Sequence, residues 1–241
     1  MPCASKTSWI RRVAAHIACD IAGCLAFAAA VGAGEIDTLM FGSLDAGAAQ
    51  FLTVGAKFGF GSLDREGFAA LASGGGGRRA ERGDDGPRQR FTIGAAVVVG
   101  YQWFFDWGVV GAYAGPEIAT EMLVDRRGLA PLPLQPGLRL QGELWARPTE
   151  ETLVQATAVA GSARESLWLR VAGGYRVWGA YLGPEIGGYI DATGYQKRAL
   201  GVHGTDFDAG RFSARVSVGI QTESGRRGAA PYLALSVWTP W

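Results

Sequence analysis

The sequence predicts an all-β protein, a closed antiparallel transmembrane β-barrel of about twelve strands. Three observations predict it. Apolar residues recur at every second position through most of the chain. Aromatic residues gather where those alternating runs end. The final stretch, "YLALSVWTPW", alternates in the same way and closes on an aromatic, Trp241.

Composition sets the limits. The chain has 241 residues, enough for one large domain, with 37 Gly, 8 Trp, 7 Tyr and 11 Phe and only 19% charged residues. The net charge of +1 offers no polyanion-binding surface, so no nucleic-acid partner is expected. After residue 33 no apolar run reaches the length of a spanning helix.

Residues 1–33 read as a secretory signal peptide. Lys6, Arg11 and Arg12 form a positive start, "IAGCLAFAAAV" an apolar centre, and "VGA" a small-residue cleavage site ending at Ala33. "IAGC" also resembles a lipoprotein box with Cys24 acylated, but the most apolar residues follow Cys24 where a lipoprotein would place them before it. Cys3, Cys19 and Cys24 all lie in this leader, so residues 34–241, read as the barrel domain, gain no disulfide.

Turn signals divide 34–241 into strands near 36–44, 50–60, 66–77, 90–103, 107–120, 136–147, 151–161, 165–177, 178–190, 194–204, 209–221 and 229–241. In 51–60, Leu52, Val54, Ala56, Phe58 and Phe60 oppose Thr53, Gly55, Lys57 and Gly59. In 91–103, Phe91, Ile93, Val97, Val99, Tyr101 and Trp103 share one face. In 137–147, Leu138, Leu140, Leu144 and Ala146 oppose Arg139, Gln141, Glu143 and Arg147. In 211–221, Phe212, Val216, Val218 and Ile220 oppose Ser213, Arg215, Ser217 and Gln221.

A soluble sandwich alternates too. The membrane reading rests on polar faces that mix Gly and Ser with Arg, Glu and Gln, as a lumen requires. It rests also on aromatic clusters such as Trp103-Phe104-Phe105 with Trp107, placed like an interfacial girdle. With the first strand running outward, "GSLDRE", "FFDW", "RPTEE", "YRVW" and "DFDA" become periplasmic turns. The connectors 78–89 and 121–135 fall outside, and "GGGGRRAERGDDGPRQR" suits a mobile external loop. "GSLD" at 42–45 and 61–64 reads as a turn.

"GAYAGPEI" at 111–118 returns as "GAYLGPEI" at 179–186. Alternation puts Tyr113 and Glu117, and Tyr181 and Glu185, on the lumen face of a repeated hairpin. Tyr and Glu four positions apart lie about 13 Å from each other along a strand, so they line a surface and form no catalytic pair. Pro116 and Pro184 remove ladder hydrogen bonds, which predicts a bulge or an end of regular pairing at both.

The lumen candidates are Lys57, Tyr113, Glu117, Arg139, Glu143, Arg147, Arg170, Tyr181, Glu185 and Arg215. Their charges either pair into a plug or line a wet path. Trp145 and Trp168 join them as rings that either stack on sugars or fill space. No catalytic set is expected: His203 is the one histidine after the leader, with Asp206 and Asp208 near it in sequence but no serine in a nucleophile context. No metal site or cofactor is expected, and "GGGG" at 74–77 lacks the Lys-Ser/Thr of a phosphate loop.

The order "FGSLDAG", "GSLDREGF", "VGYQW", "GPEI", "RVAGGYRVWGAYLGPEI" and "QKRALGVHGTDFDAGRFSARVSVGIQTESGR" resembles the cellulose biosynthesis protein BcsS family. That resemblance, and not the alternation, implies a non-enzymatic outer-membrane component of cellulose or other exopolysaccharide biosynthesis and secretion. Its implied partners are subunits of the cellulose synthase and export apparatus or the glucan chain, and it assigns no catalytic residue. The barrel itself would contact outer-membrane lipid as a monomer. A general porin-like channel, a barrel hydrolase using His203 and a soluble periplasmic sandwich are the rival readings.

Overall fold

The computed structural model describes residues 38–83 and 86–241. The expected signal peptide and the start of the first expected strand lie outside them.

The strands are β1 (Thr38–Ala46), β2 (Gln50–Gly59), β3 (Gly67–Gly83), β4 (Gly86–Phe105), β5 (Gly108–Asp125), β6 (Gly128–Pro131), β7 (Gln135–Thr149), β8 (Thr152–Gly161), β9 (Ser166–Val177), β10 (Ala180–Ile190), β11 (Gln196–Ala209), β12 (Phe212–Glu223) and β13 (Ala230–Pro240). All pairings are antiparallel. β6 only extends the free end of β5, while β4 pairs with β5 and β1 with β13, so twelve strands close a barrel. The seam runs from Leu39↔Pro240 to Ala46↔Leu233, and the Trp241 N–H donates to the Thr38 carbonyl at 2.8 Å. Closure leaves no unpaired edge within the wall, which is the condition for strands to stand in lipid.

Burial is inverted relative to a soluble domain. Leu140 is 60% exposed, whereas Arg215 is 4% and Gln221 1% exposed. Val97, Leu138, Ile186, Leu200, Val218 and Leu235 also look outward. Such a continuous apolar exterior is far larger than a soluble monomer exposes.

Five short turns and both described chain ends, Thr38 and Trp241, lie at one end, called here the terminal end. One of these turns, Trp178-Gly179, has φ of +50° and +91°, the mirror-image geometry that suits strand twist in a two-residue hairpin. Phe68, Tyr101 and Trp103 form a chain of ring contacts on the outer surface near this end, and Phe105 stacks on Trp107 at 4.9 Å. Phe104 departs from the girdle expected of it: it shares the inward face of Gln102 and lines the lumen.

Three local expectations need correction. Residues 78–83 and 86–90 are strand and not loop, because β3 and β4 stay paired from Gly67↔Gln102 to Gly83↔Gly86. At 17 and 20 residues they exceed the roughly ten needed to cross, so the charged hairpin projects beyond the barrel wall. The run "GGGG" is strand interior there, its gaps filled by Phe51, whose ring lies over Gly75 and Gly77. The first "GSLD" is strand, with Ser43 and Asp45 inward; only the second is a turn.

The prolines behave alike in both copies, but neither makes a bulge. Pairing of β5 with β4 lapses between Val99↔Ala114 and Ala96↔Glu117 without a register shift, and pairing with β7 continues through Pro116↔Leu138. Likewise β10 loses contact with β9 between Leu182↔Tyr175 and Glu185↔Ala172 while keeping Pro184↔Val202 on β11. Proline withholds an N–H from one flank only, so a two-residue gap suffices. The preceding glycine sits hard against that flank. A Cβ on Gly115 would overlap the Val97 carbonyl, and one on Gly183 the Gly173 carbonyl.

Candidate functional site in the barrel lumen

Alternation delivers the inward side chains, and the closed wall brings distant strands face to face. At the terminal end Trp145 of β7 meets Trp238 of β13 edge to face, with centroids 5.9 Å apart. These strands are six steps apart around the wall in either direction, so the contact spans the lumen.

Above this pair, Lys57 Nζ bonds Glu143 Oε2 at 2.9 Å and lies 5.1 Å from the centre of the Tyr113 ring. Gln141 Nε2 takes the other oxygen of Glu143 at 2.7 Å. A second knot centres on Glu185. It accepts from Tyr232 OH at 2.7 Å, from Ser217 Oγ at 3.0 Å and from the Arg215 guanidinium, which also donates to Gln155 Oε1. A carboxylate with three such donors keeps its charge inside a narrow lumen.

The other expected lumen residues also face inward but serve different ends. Glu117 accepts the Ala163 N–H at 3.0 Å, tying down the connector after β8. Arg139 has its Nε buried without a partner. Arg170 lies 5.4 Å from the centre of the Trp168 ring and makes no hydrogen bond or ion pair among the described residues. Arg147 reaches Asp206 at 2.7 Å and packs over Tyr181, whose OH donates to the Glu150 carbonyl at 3.0 Å. Apart from its first glycine, strand interior at Gly111 but a turn at Gly179, the octet therefore forms strand in both copies and gives its two glutamates different work.

His203 is not beside Asp206 or Asp208. Its Nδ1 meets Thr205 Oγ1 at 2.8 Å and its Nε2 meets the Gly173 carbonyl at 3.2 Å, and the residue is buried. Both ring nitrogens are engaged by groups of the wall itself. Among the described residues no group of three or more His, Cys, Asp or Glu is placed to hold a metal ion.

The network at the opposite, loop end was not legible as a site. Arg79 of β3 donates to Asp191 Oδ2 at 2.8 Å and to Thr193 Oγ1 at 2.7 Å, and stacks 4.1 Å from the centre of the Tyr195 ring. Arg164 joins Asp191 at 2.9 Å to Glu121 at 2.5 Å, and Glu121 pairs with Arg90. Arg90 reaches Glu81 at 3.0 Å and Arg88 reaches it at 2.5 Å. Burial disfavours the Asp191 charge, but the Thr193 hydroxyl and the Arg79 and Arg164 guanidiniums outweigh it and hold that carboxyl below its usual range. Glu81 is likewise held low: burial opposes its charge, and Arg90 and Arg88 prevail. The signal available in the sequence was parity, since Arg79 and Glu81 continue the inward face of Leu71 and Ser73.

The comparisons with known proteins agree with this architecture. The family of cellulose biosynthesis protein BcsS matches residues 39–241. The chain belongs to the BcsS family. The match spans the whole closed wall of this BcsS-family barrel, from β1 to Trp241. Among solved structures, the KdgM porin aligns with a TM-score of 0.50 at 13% identity, covering 84% of this chain and 99% of that one. An outer membrane channel from Pseudomonas putida F1 aligns with a TM-score of 0.50 at 13% identity, covering 88% and 97%. At such identity the likeness carries the fold alone, that of outer-membrane barrels. No curated protein matches the chain.

Proposed function

We propose that this BcsS-family chain is a non-enzymatic barrel of the outer membrane that serves cellulose production at the cell surface without being the conduit for the polymer. The observation that carries this reading is the bridging of opposite walls at both ends of the lumen, by Arg79 with Asp191 and by Trp145 with Trp238. A glucan in transit needs an unobstructed bore, and a braced lumen suits an accessory that anchors or organises other components of the synthase and export apparatus. The terminal end, with its short turns, then faces the periplasm and the loop end faces outward, as in other barrels of this kind. The engagement of both His203 nitrogens supports the non-enzymatic part of the reading.

Planar bilayers test it. The purified barrel is expected to shift its gel mobility on boiling and to stay electrically silent, whereas the Arg79→Ala/Trp145→Ala double variant conducts. Steady current through the unaltered protein overturns the braced reading in favour of a porin-like channel. Deleting the gene is expected to change cell-associated cellulose, scored by fluorescent glucan dye. Unchanged cellulose removes the biological assignment.

A further inference from the structure

Between the Trp145–Trp238 contact and the Glu185 knot lies a lumen cavity of about 470 Å3. That is the size of a small-molecule site. Its lining holds three cations, Lys57, Arg170 and Arg215. Two of them are answered, Lys57 by Glu143 and Arg215 by Glu185. Arg170 has no direct partner: the Trp168 ring lies against it, while Glu185 and Asp45 act on it only at longer range and are already paired, with Arg215 and Lys197. The remaining carboxylate of the lining, Asp64, sits exposed on the turn after β2 and makes no ion pair with it.

A second donor faces the same space. Gln102 is 3% exposed, and its Nε2 is buried with no hydrogen-bond partner. Leaving such a group unpaired is costly, as is an enclosed guanidinium with no direct ion-pair partner. Gln102 stands on β4 and Arg170 on β9, four steps around the wall, so the two donors look into the cavity from separate walls. Trp145 and Trp238 supply an aromatic floor of the kind that receives the apolar face of a ring.

We infer that this cavity binds a sugar-sized organic anion, its carboxylate or phosphate taken by the Arg170 guanidinium and the Gln102 amide and its body resting on Trp145 and Trp238. Donors without acceptors select an acceptor-rich group. A planar guanidinium selects a carboxylate or phosphate in particular, because two parallel N–H bonds match two oxygens. The inference does not depend on the cellulose assignment, and its failure leaves that assignment standing.

Isothermal titration calorimetry on the full-length barrel in detergent tests it, with glucuronate, glucose 6-phosphate, inorganic phosphate and glucose as probes. Glucuronate or glucose 6-phosphate is expected to bind about tenfold or more tightly than glucose, the discrimination a charge-assisted hydrogen bond supports. Arg170→Gln should lower that affinity by about tenfold, Arg170→Lys should restore part of it, and Gln102→Leu should weaken it several-fold. Trp145→Phe should weaken the sugar anions and leave inorganic phosphate unchanged. Boiling-dependent gel mobility certifies the fold of each variant; should Arg170→Gln misfold, Gln102→Leu and the loss of affinity with added salt carry the test. Equal affinity for glucose and glucuronate, indifference to Arg170→Gln in a folded barrel, or no heat with any probe overturns the inference. Inorganic phosphate binding as tightly as glucose 6-phosphate overturns the sugar-sized body.

Discussion

Arg79 and Asp191 meet at 2.8 Å although β3, which carries the arginine, and β10, which leads into the aspartate, stand opposite each other across the barrel mouth. The contact exists because the 191–195 connector offers a carboxylate, a hydroxyl and an aromatic ring to one guanidinium. Asp191 has a lowered pKa in the folded protein, so its stabilising contribution is complete above the ordinary aspartate value and is lost as pH falls through the folded one. The stability difference between the unaltered barrel and Asp191→Asn should therefore stay flat from about pH 8 to about pH 5 and fade as pH falls below the ordinary aspartate value of about 3.9. Heat-induced gel shifts across that range measure it. A difference that changes near neutrality contradicts the assignment.

The two octet glutamates should respond unequally. Glu185→Ala strips three donors of their acceptor and leaves Arg215 without its carboxylate, so a loss of roughly 3–5 kcal/mol is expected. Glu117→Ala removes one bond to a backbone N–H and should cost about 1 kcal/mol. Urea unfolding of barrels refolded into liposomes ranks them; equal losses would mean that the octet acts as one functional motif.

Gly115→Val and Gly183→Val should each block folding, since the first new side-chain atom collides with a neighbouring carbonyl. Gly142→Ala, where no atom lies within 4 Å of the added Cβ, should fold normally. The fraction of boiling-sensitive band after refolding reads out all three.

Leu140→Arg places a charge on the outer face and should destabilise the inserted barrel by about 2–4 kcal/mol near the bilayer midplane. Leu140→Ala should cost less, and the penalty should be absent in long-chain detergent at high concentration. An arginine tolerated at this position in liposomes refutes a lipid-facing β7.

His203→Ala should reduce stability modestly and change no surface cellulose, because the ring serves Thr205 and the Gly173 carbonyl. Dye binding by cells carrying the variant tests this. Loss of cellulose with the barrel intact would revive a chemical role for the histidine.

Much of the wall was legible because strand periodicity is a local property. Leu140, Val97 and Val216 announce the outer face, and Arg139, Gln102 and Arg215 the inner one, wherever the chain later travels. The charged stretch 78–90 misled because Gly, Arg and Asp are loop-favouring residues. The strand character of 78–83 and 86–90 comes from partners: Arg79, Glu81 and Arg90 are stable in a ladder only because Glu121 arrives from β5, and Arg164 and Asp191 from the connectors after β8 and β10.

By itself the sequence determined that the chain alternates, that it forms twelve wall strands, which side chains turn inward, and that the octet builds a hairpin twice. Closure decided the rest. Which inward charges neutralise each other depends on the number of strands and their stagger, and these set who stands opposite whom. That is why Lys57 and Glu143, 86 residues apart in the chain, form a pair, and why Arg170 is left facing an enclosed space with no carboxylate of its own.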